Sequence, residues 1–276
     1  MKHKTVRTIH ETMKHLLIWS VLIFAFFPLY IMFMISFKDN GQFVKAPFSL
    51  TFPMHFENWT KGFTIIAPYI GNSIFVAIIS VVLTLLCALC AAYVFARYDF
   101  PFKNVIWYGL LGLLFMPAIM NLVPLFIIMR DLNMLNSLLG LSTIYATGGQ
   151  VFCVFVLRNF IEEIPQDLFE AAQIDGATPW QQIWNVVVPM SGSILSTLAI
   201  LRFIACWNNF IHPLIFINDR SKQLIPVALM ELDGEYVKQW GEMMASFSIA
   251  AIPLVLIFFF SMKLFVKGIA AGAVKG

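Results

Sequence analysis

The sequence predicts an all-α polytopic membrane protein with six transmembrane helices. Hydrophobic residues make up 60% of the 276-residue chain and charged residues only 12%, whereas soluble domains carry about 25% charged residues. Apolar runs of about 18 or more residues are long enough to cross a bilayer as helices. Six runs meet this test, at 16–36, 68–96, 105–129, 138–157, 191–216 and 246–266.

These runs divide the chain into successive regions. The first run is too long for the core of a signal peptide and no small-residue cleavage site follows it, so we interpret it as a retained helix. The predicted regions are a cytoplasmic tail at 1–15, a first transmembrane helix at 16–37, an extracytoplasmic loop at 38–67, a core with five transmembrane helices at 68–267 that includes a polar loop at 158–190, and a cytoplasmic tail at 268–276.

The distribution of Lys and Arg predicts the orientation of the chain. With the N-terminus inside, the inside segments hold ten of these residues and the outside segments seven, and Arg97 and Lys103 tightly flank one short inside turn. The positive-inside rule therefore favours a cytoplasmic N-terminus and C-terminus, with the polar loop at 158–190 also in the cytoplasm. The small net charge of +3 gives no support to a nucleic-acid partner.

The sequence contains no motif for ATP hydrolysis, ion coupling, metal binding or catalysis. There is no Gly-Lys dipeptide, so a P-loop cannot be present and ATP hydrolysis would need another polypeptide. No acidic residue falls within the six runs, which counts against ion-coupled transport. Cys87 and Cys90 have C-x-x-C spacing, but we interpret them as small residues at helix contacts. Neither a metal site nor a catalytic residue is predicted.

The polar loop has the pattern of two short helices joined at a glycine. Pro165 suits a first helical turn, and Asp167 and Glu170 place negative charge near the helix start, where the dipole favours it. Gly176 suits a left-handed helix end. The sequence therefore predicts a first helix that stops at Gly176.

The second helix begins with a capping signal. Thr178 is the predicted N-cap, Pro179 the first helical residue, and Gln181 completes the spacing of a capping box. Pro189 marks a break or kink. Residues at i, i+3, i+4 and i+7 form one apolar stripe: Trp180, Ile183, Trp184 and Val187. The polar residues predicted to lie off that stripe are Gln181, Gln182 and Asn185.

This helix pair is typical of a docking surface for another protein. The first helix offers small residues and the Glu170 carboxylate. The alternative is an amphipathic helix lying on the membrane, but such helices favour Lys and Arg on their polar face. No Lys or Arg occurs between Asn159 and Ser191, so docking is favoured.

The motif E-A-A-x-x-D-G-A at Glu170–Ala177, with Ile183 and Pro189 downstream, resembles the EAA loop of ABC importer permeases, in the form of the carbohydrate branch that includes the maltose-type permeases. We call residues 158–190 the EAA segment. Two positions depart from the family pattern, because Ile183 stands where Phe is frequent and Ser193 where Pro is common. Other stretches that resemble the family are SFK after the first run, GNS at 71–73, VPLFIIMRDLNMLNSLLGL, WNNFIHPLIF and AAGAVKG.

The resemblance implies an importer subunit in a bacterial cell (inner) membrane. In such permeases the EAA loop seats in a cleft of a separate ATPase, so Glu170, Ala171, Ala172 and Gly176 would carry that contact and Asp175 would brace the turn. The implied partners are two ATPase subunits that bind ATP and Mg, a second permease subunit forming a hetero-pair, an extracytoplasmic substrate-binding protein and a sugar or oligosaccharide substrate. No cofactor is implied for this chain itself.

Three alternatives remain beside a sugar importer. One is an importer for another solute such as glycerol phosphate, another is a secondary transporter or channel that works without nucleotide, and the last is a structural membrane scaffold. Uptake that depends on ATP hydrolysis would separate the first from the other two.

A sugar pathway requires polar side chains inside the apolar runs. Each candidate has the alternative role of a polar contact between packed helices. Asn208 and His212, at i and i+4, are predicted to share a helix face. The candidates are Asn121, Tyr145, Thr147, Gln150, Trp207, Asn208, Asn209 and His212.

Arg202 lies near the middle of the fifth run, where a charge costs at least about 2.5–3.5 kcal/mol. Backbone carbonyls, a hydrated cavity, a carboxylate of a second subunit or an anionic substrate could satisfy it. We favour a structural role over direct contact with substrate.

Two loops, 38–67 and 217–244, are longer than turns. In an importer of this type they would meet the binding protein, and the alternative is that they are only solvated loops. The second contains charged and aromatic residues, namely Glu231, Asp233, Glu235, Tyr236, Trp240 and Glu242.

Overall fold

The computed structural model describes residues 2–233 and 238–273, and this part of the chain is helical with no strand. The α-helices are α1 (Lys2–Ile35), α2 (Asn40–Lys45), α3 (Glu57–Arg97), α4 (Lys103–Leu113), α5 (Leu122–Asp131), α6 (Leu138–Glu162), α7 (Gln166–Ile174), α8 (Pro179–Gln182), α9 (Val188–Met190), α10 (Gly192–Trp207), α11 (Ile211–Phe216), α12 (Ile225–Asp233) and α13 (Trp240–Ala273). Short 3₁₀ turns occur at Ala118–Asn121 and Arg220–Lys222, and a π turn at Ile183–Val187.

Four helices in the described residues are long and apolar enough to cross a membrane. They are His10–Ile35 within α1, Glu57–Arg97, Leu138–Glu162 and Trp240–Phe259 within α13. A fifth crossing results if the bent pair Pro179–Met190 and Gly192–Trp207, which meet at 84°, counts as one span. The all-α membrane fold is confirmed, whereas the structure does not confirm the predicted number of six spans.

The third predicted run, 105–129, is divided between two helices. α4 has 11 residues and α5 has 10, so each is only about 17 Å long or less at 1.5 Å per residue. Pro117, with an extended ψ of 125°, and the 3₁₀ turn after it separate them. Proline lacks the N–H that a continuing helix needs, which explains why this apolar run is not one helix.

The fifth predicted run, 191–216, is likewise broken. α10 ends at Trp207, and α11 begins only at Ile211. Pro213 in α11 cannot donate to the carbonyl four residues earlier, which favours a break at this position. The run therefore forms a helix, a three-residue break and a further short helix.

The two regions predicted as loops contain helices. The 38–67 region holds α2 and the first residues of α3, and the 217–244 region holds a 3₁₀ turn, α12 and the start of α13. Glu242 in α13 forms an ion pair with Lys61 at 2.6 Å, and Trp240 stacks on Phe43 with ring centroids 4.5 Å apart. Glu235 and Tyr236 lie outside the described residues.

The chain divides into two compact units, residues 1–67 with 229–252 and residues 68–228 with 253–276. The second unit contains the EAA segment and a large core that is built from α3, α6 and α10. Fully buried residues of that core include Ala92 in α3, Leu157 in α6 and Leu198 in α10.

Candidate functional site

The first helix of the EAA segment, α7, ends in a turn that only glycine adopts easily. Gly176 has φ +78°, a left-handed conformation that costs other L-residues roughly 1–2 kcal/mol. The N–H of Gly176 donates to the carbonyl of Gln173 at 3.0 Å, and the N–H of Ala177 donates to that of Ala172 at 2.9 Å. These bonds satisfy the last carbonyls of α7, as in a Schellman-type end, and the predicted helix stop is confirmed.

The second helix begins with the predicted capping box. The hydroxyl oxygen of Thr178 accepts from the N–H of Gln181 at 3.3 Å, while the side-chain oxygen of Gln181 accepts from the N–H of Thr178 at 2.8 Å. Pro179 is the first helical residue. α8 then passes into the π turn at Ile183–Val187 before Pro189. Wider turns of this kind occur frequently at functional sites.

The predicted apolar stripe of the second helix is only half correct. Ile183 and Val187 are buried and belong to the core of the second unit. Trp180 and Trp184 are exposed, and their rings meet edge to face at 5.7 Å. The periodicity identified the apolar side of this helix but not which half of that side the rest of the chain covers.

Gln182, predicted to lie off the buried stripe, is buried with 3% of its surface exposed. Its side-chain carbonyl accepts a 2.7 Å hydrogen bond from the hydroxyl of Tyr93 in α3. Its amide nitrogen donates to the carbonyl of Ala177 at 3.4 Å. Gln182 therefore ties the glycine turn to a long candidate span.

Arg97, the last residue of α3, joins three parts of the site. Its Nη2 donates to the carbonyls of Ile161 at 2.5 Å and Ile164 at 2.6 Å, and its Nη1 donates to Oε1 of Gln166 at 3.0 Å. Its guanidinium carbon lies 3.9 Å from the ring centroid of Phe169, the buried residue of α7. Arg97 thus links the ends of α3 and α6 to the start of the EAA helix.

The outer face of α7 is open. Glu170, Ala171, Asp175 and Gly176 are exposed, and Ala172 is half-buried. Ile174 has 87% of its surface exposed. The structure therefore brings the five EAA residues to one short knob with an apolar side chain at its tip.

The Asp175 carboxylate makes no hydrogen bond to any residue that the structure describes. Instead, the backbone N–H of Asp175 donates to the carbonyl of Ala171 at 3.0 Å. The backbone bonds of the turn hold it together, and no bracing by the Asp175 side chain is seen among the residues that the structure describes. The carboxylate faces outward.

Among the pathway candidates, Arg202 and Tyr145 lie together. The Nη2 of Arg202 donates to the backbone carbonyl of Tyr145 at 2.7 Å. A backbone carbonyl is one of the four kinds of partner that the sequence analysis considered for this charge. The guanidinium lies directly against Gly149, where a Cβ would overlap it. The Nε of Arg202 and the hydroxyl of Tyr145 are buried without a hydrogen-bond partner among the described residues.

His212 joins the same cluster through its ring, which meets that of Tyr145 edge to face at 5.6 Å. The predicted pairing of Asn208 with His212 on one helix face is wrong, because the helix is broken between them. Asn209 is the partner instead, since its side-chain oxygen lies 3.1 Å from the backbone nitrogen and 3.0 Å from Nδ1 of His212.

The remaining candidates are dispersed. Asn121 is exposed at the break before α5, and Asn208 is exposed at the end of α10. Trp207 is buried and stacks on Phe203 at 5.5 Å. Gln150 is half-buried in α6, and the hydroxyl of Thr147 donates to the carbonyl of Ile144 at 2.9 Å. No described hydrogen bond joins these residues to the Arg202 cluster.

Sequence reasoning missed Arg97, Gln182 and Ile174 as parts of the site. Arg97 had one available signal, since it ends an apolar run beside a short turn, but it was used only for orientation. Nothing in the sequence indicated that Gln182 is buried, because a polar side chain is expected to be exposed unless its hydrogen-bond partner, here Tyr93, is known. Ile174 was hidden by its apolar character, which favours burial.

Comparisons with known proteins agree with this architecture. Residues 11–271 match the family described as binding-protein-dependent transport system inner membrane component. The diacetylchitobiose uptake system permease protein NgcG of Streptomyces coelicolor is 32% identical over 88% of this chain and 81% of its own length. The probable ABC transporter permease protein YurM of Bacillus subtilis is 33% identical over 97% of this chain and 90% of its own length.

A solved structure has the same fold. A crystal structure of a bacterial ABC transporter involved in the import of the acidic polysaccharide alginate superimposes with a TM-score of 0.83 at 20% identity, covering 92% of this chain and 96% of that chain. The open EAA knob, the long apolar helices and the match over 11–271 all agree. The chain belongs to the family of inner membrane components of binding-protein-dependent transport systems.

Proposed function

We propose that this chain is a membrane subunit of a sugar or oligosaccharide importer and that its EAA segment docks on a separate ATPase. The exposed knob formed by α7 and the Gly176 turn is the observation that carries this proposal. Its small side chains let a partner approach closely, and Ile174 at its tip would fill an apolar pocket of that partner. The sugar class is supported by the diacetylchitobiose and alginate systems to which this chain is similar.

The hydrogen bonds between the knob and the long helices support a route by which force passes to the membrane-spanning helices. ATP and Mg bind on two ATPase subunits, and closure of that pair moves the knob. Arg97 connects the knob to the ends of α3 and α6, and Gln182 connects it to α3 through Tyr93. A rigid displacement of the knob is therefore passed to helices that form the core of the second unit.

The proposed assembly has further partners. A second permease subunit, in a hetero-pair, completes the substrate pathway. A substrate-binding protein delivers the sugar on the extracytoplasmic side, and the two termini and the EAA segment lie in the cytoplasm, as the Lys and Arg distribution favours. The Arg202, Tyr145 and His212 cluster lines or supports the pathway.

The test is ATP-driven uptake in proteoliposomes that contain the transporter isolated with its co-purifying subunits. Ile174→Asp places a charge at the tip of the knob and should abolish both uptake and retention of the ATPase subunit. Asn104→Asp adds the same charge at an exposed position at the start of α4, outside the EAA segment, and should leave both intact. Full uptake by the Ile174→Asp variant, or uptake by the unmodified transporter without nucleotide, would overturn the proposal.

A further inference from the structure

The segment that follows α2 exposes several large apolar side chains. We call residues 46–56 the aromatic loop. Phe52 has 74% and Phe48 65% of its surface exposed, although such side chains are normally buried. Between Ala46 and Met54 the sequence contains no charged residue. The other exposed large hydrophobic side chains of the aromatic loop are those of Leu50 and Phe56.

This loop lies alongside a membrane-spanning helix. The ring of Phe48 stacks on that of Phe27 in α1, with centroids 6.4 Å apart. Phe27 precedes Ile35, the end of α1, by eight residues, which corresponds to about 12 Å along a helix axis. The apolar window of α1 has none of its residues buried inside the described chain. Phe48 therefore sits level with the spanning part of α1 and not beyond its end.

Non-helical backbone at this depth needs internal hydrogen-bond partners, because hydrocarbon supplies none. Lys38 supplies them. Its Nζ donates to the carbonyls of Ala46 at 2.6 Å, Pro47 at 3.1 Å and Ser49 at 2.7 Å. These are the three donors that an ammonium group has, and the side chain is only 1% exposed.

Neighbouring contacts hold Lys38 and the loop in place. The side-chain nitrogen of Asn58 donates to the backbone carbonyl of Lys38 at 2.9 Å, and a Cβ at Gly241 would overlap both groups. The side-chain nitrogen of Gln42 donates to the carbonyl of Pro53 at 2.9 Å. A fourth loop carbonyl is thereby satisfied within the chain.

We propose that the aromatic loop is a membrane anchor, inserted into the lipid leaflet that meets the C-terminal end of α1, with Lys38 replacing water for its carbonyls. The occupant of the exposed apolar surface is phospholipid, because that surface continues the apolar surface of α1 through the Phe27–Phe48 contact. The function of this anchor is distinct from docking at the EAA segment, and it does not depend on the proposed substrate.

The depth of the loop can be measured with nitroxide spin labels. In the transporter with Cys87, Cys90, Cys153 and Cys206 replaced by Ala, a single label is attached at Phe48→Cys or Phe52→Cys, and the protein is reconstituted in phosphatidylethanolamine and phosphatidylglycerol vesicles. Collisions with oxygen, which concentrates in lipid, are compared with collisions with a water-soluble nickel chelate. A matched label at Asn218→Cys reports an exposed polar position.

We expect oxygen collisions to exceed nickel collisions several-fold at positions 48 and 52, with the opposite preference at position 218. Nickel preference at 48 and 52 would overturn the proposal in favour of a solvated loop. A label shielded from both reagents would overturn it in favour of a protein partner, such as a second subunit, covering the loop.

A second variant tests the role of Lys38. In Lys38→Met the three carbonyls lose their donor, so the label at position 48 should shift toward nickel access. Lys45→Met removes an exposed lysine from the same region and should leave the depth of the label unchanged. An unchanged depth in Lys38→Met would overturn the assigned role of Lys38. If that variant fails to assemble, the labels in the chain with Lys38 retained still decide whether the loop is inserted.

Discussion

The hydroxyl of Tyr93 donates a 2.7 Å hydrogen bond to the side-chain carbonyl of Gln182, and both side chains are buried. This bond joins the core of the second unit to the helix that follows the glycine turn. A buried polar pair of this kind is costly when only one partner is removed. It is therefore a sensitive point at which to test the link between the EAA segment and the spans.

Tyr93→Phe should weaken that link. The substitution leaves the buried carbonyl of Gln182 without its donor, at a cost of about 1–3 kcal/mol. We expect a lower unfolding temperature in detergent and a smaller amount of sugar imported per ATP hydrolysed. Tyr108→Phe, at an exposed tyrosine, serves as the control. If Gln182→Leu combined with Tyr93→Phe is no better than Tyr93→Phe alone, the unsatisfied carbonyl is not the cause of the loss.

Arg97→Lys should loosen the start of α7 while keeping the charge. A lysine ammonium cannot reproduce the planar fork that reaches two carbonyls and the Gln166 side chain while covering Phe169. Hydrogen bonds from a charged group contribute about 1.5–3 kcal/mol each, so we expect a marked drop in coupled uptake. The measurement is the ratio of uptake to ATP hydrolysis.

The control for Arg97→Lys is Arg130→Lys, because Arg130 is exposed and pairs with Asp131 on the surface. Surface pairs of this kind contribute little, so its ratio should stay unchanged. Equal ratios in the two variants would show that the Arg97 contacts do not transmit force.

Gly149→Ala should be far more damaging than Gly148→Ala, although the two glycines are adjacent. A Cβ at position 149 overlaps the Arg202 guanidinium, whereas a Cβ at position 148 meets nothing within 4 Å. Displacing the half-buried Arg202 from the Tyr145 carbonyl loses a hydrogen bond made by a charged group, a loss of about 1.5–3 kcal/mol. The yield of assembled, detergent-stable protein measures the effect.

Adding Arg202→Met to Gly149→Ala should recover part of that yield, because the overlapping charge is then gone. Arg202→Met alone separates the two roles considered for this residue. Normal assembly with reduced uptake would indicate contact with substrate, and loss of assembly would indicate a packing role.

Gly176→Ala should weaken docking of the EAA segment without any steric clash in the free chain. A Cβ at Gly176 meets nothing within 4 Å, but φ is +78°. The free variant escapes a backbone strain of about 1–2 kcal/mol by relaxing the turn, and docking has to restore that strain, which corresponds to about a tenfold loss of affinity for the proposed ATPase partner. Gly192→Ala is the matched control, since its Cβ also meets open space and its φ is not positive. Identical affinities for the two variants would contradict the strain argument.

Local signals predicted the EAA segment well. Gly176, Thr178 and Pro179 each favour one backbone conformation at one position, and the structure has those conformations. The apolar stripe was predicted less well, because periodicity identifies an apolar side of a helix but not how much of that side the rest of the chain covers. The runs 105–129 and 191–216 were each predicted as one spanning helix because they are long enough to cross a bilayer. The length of an apolar run does not reveal where a proline interrupts the helical hydrogen bonding.

Composition and local pattern by themselves determined that this protein is helical, lies in a membrane and carries a polar segment of two short helices joined at Gly176, because those properties depend on apolar length and on the backbone preferences of single residues. Only the tertiary structure decided which polar side chains are buried together. The side chains of Lys38, Arg97 and Gln182 find hydrogen-bond partners 8 to 89 residues away in sequence. The local sequence around each of these residues does not show which partner it will have.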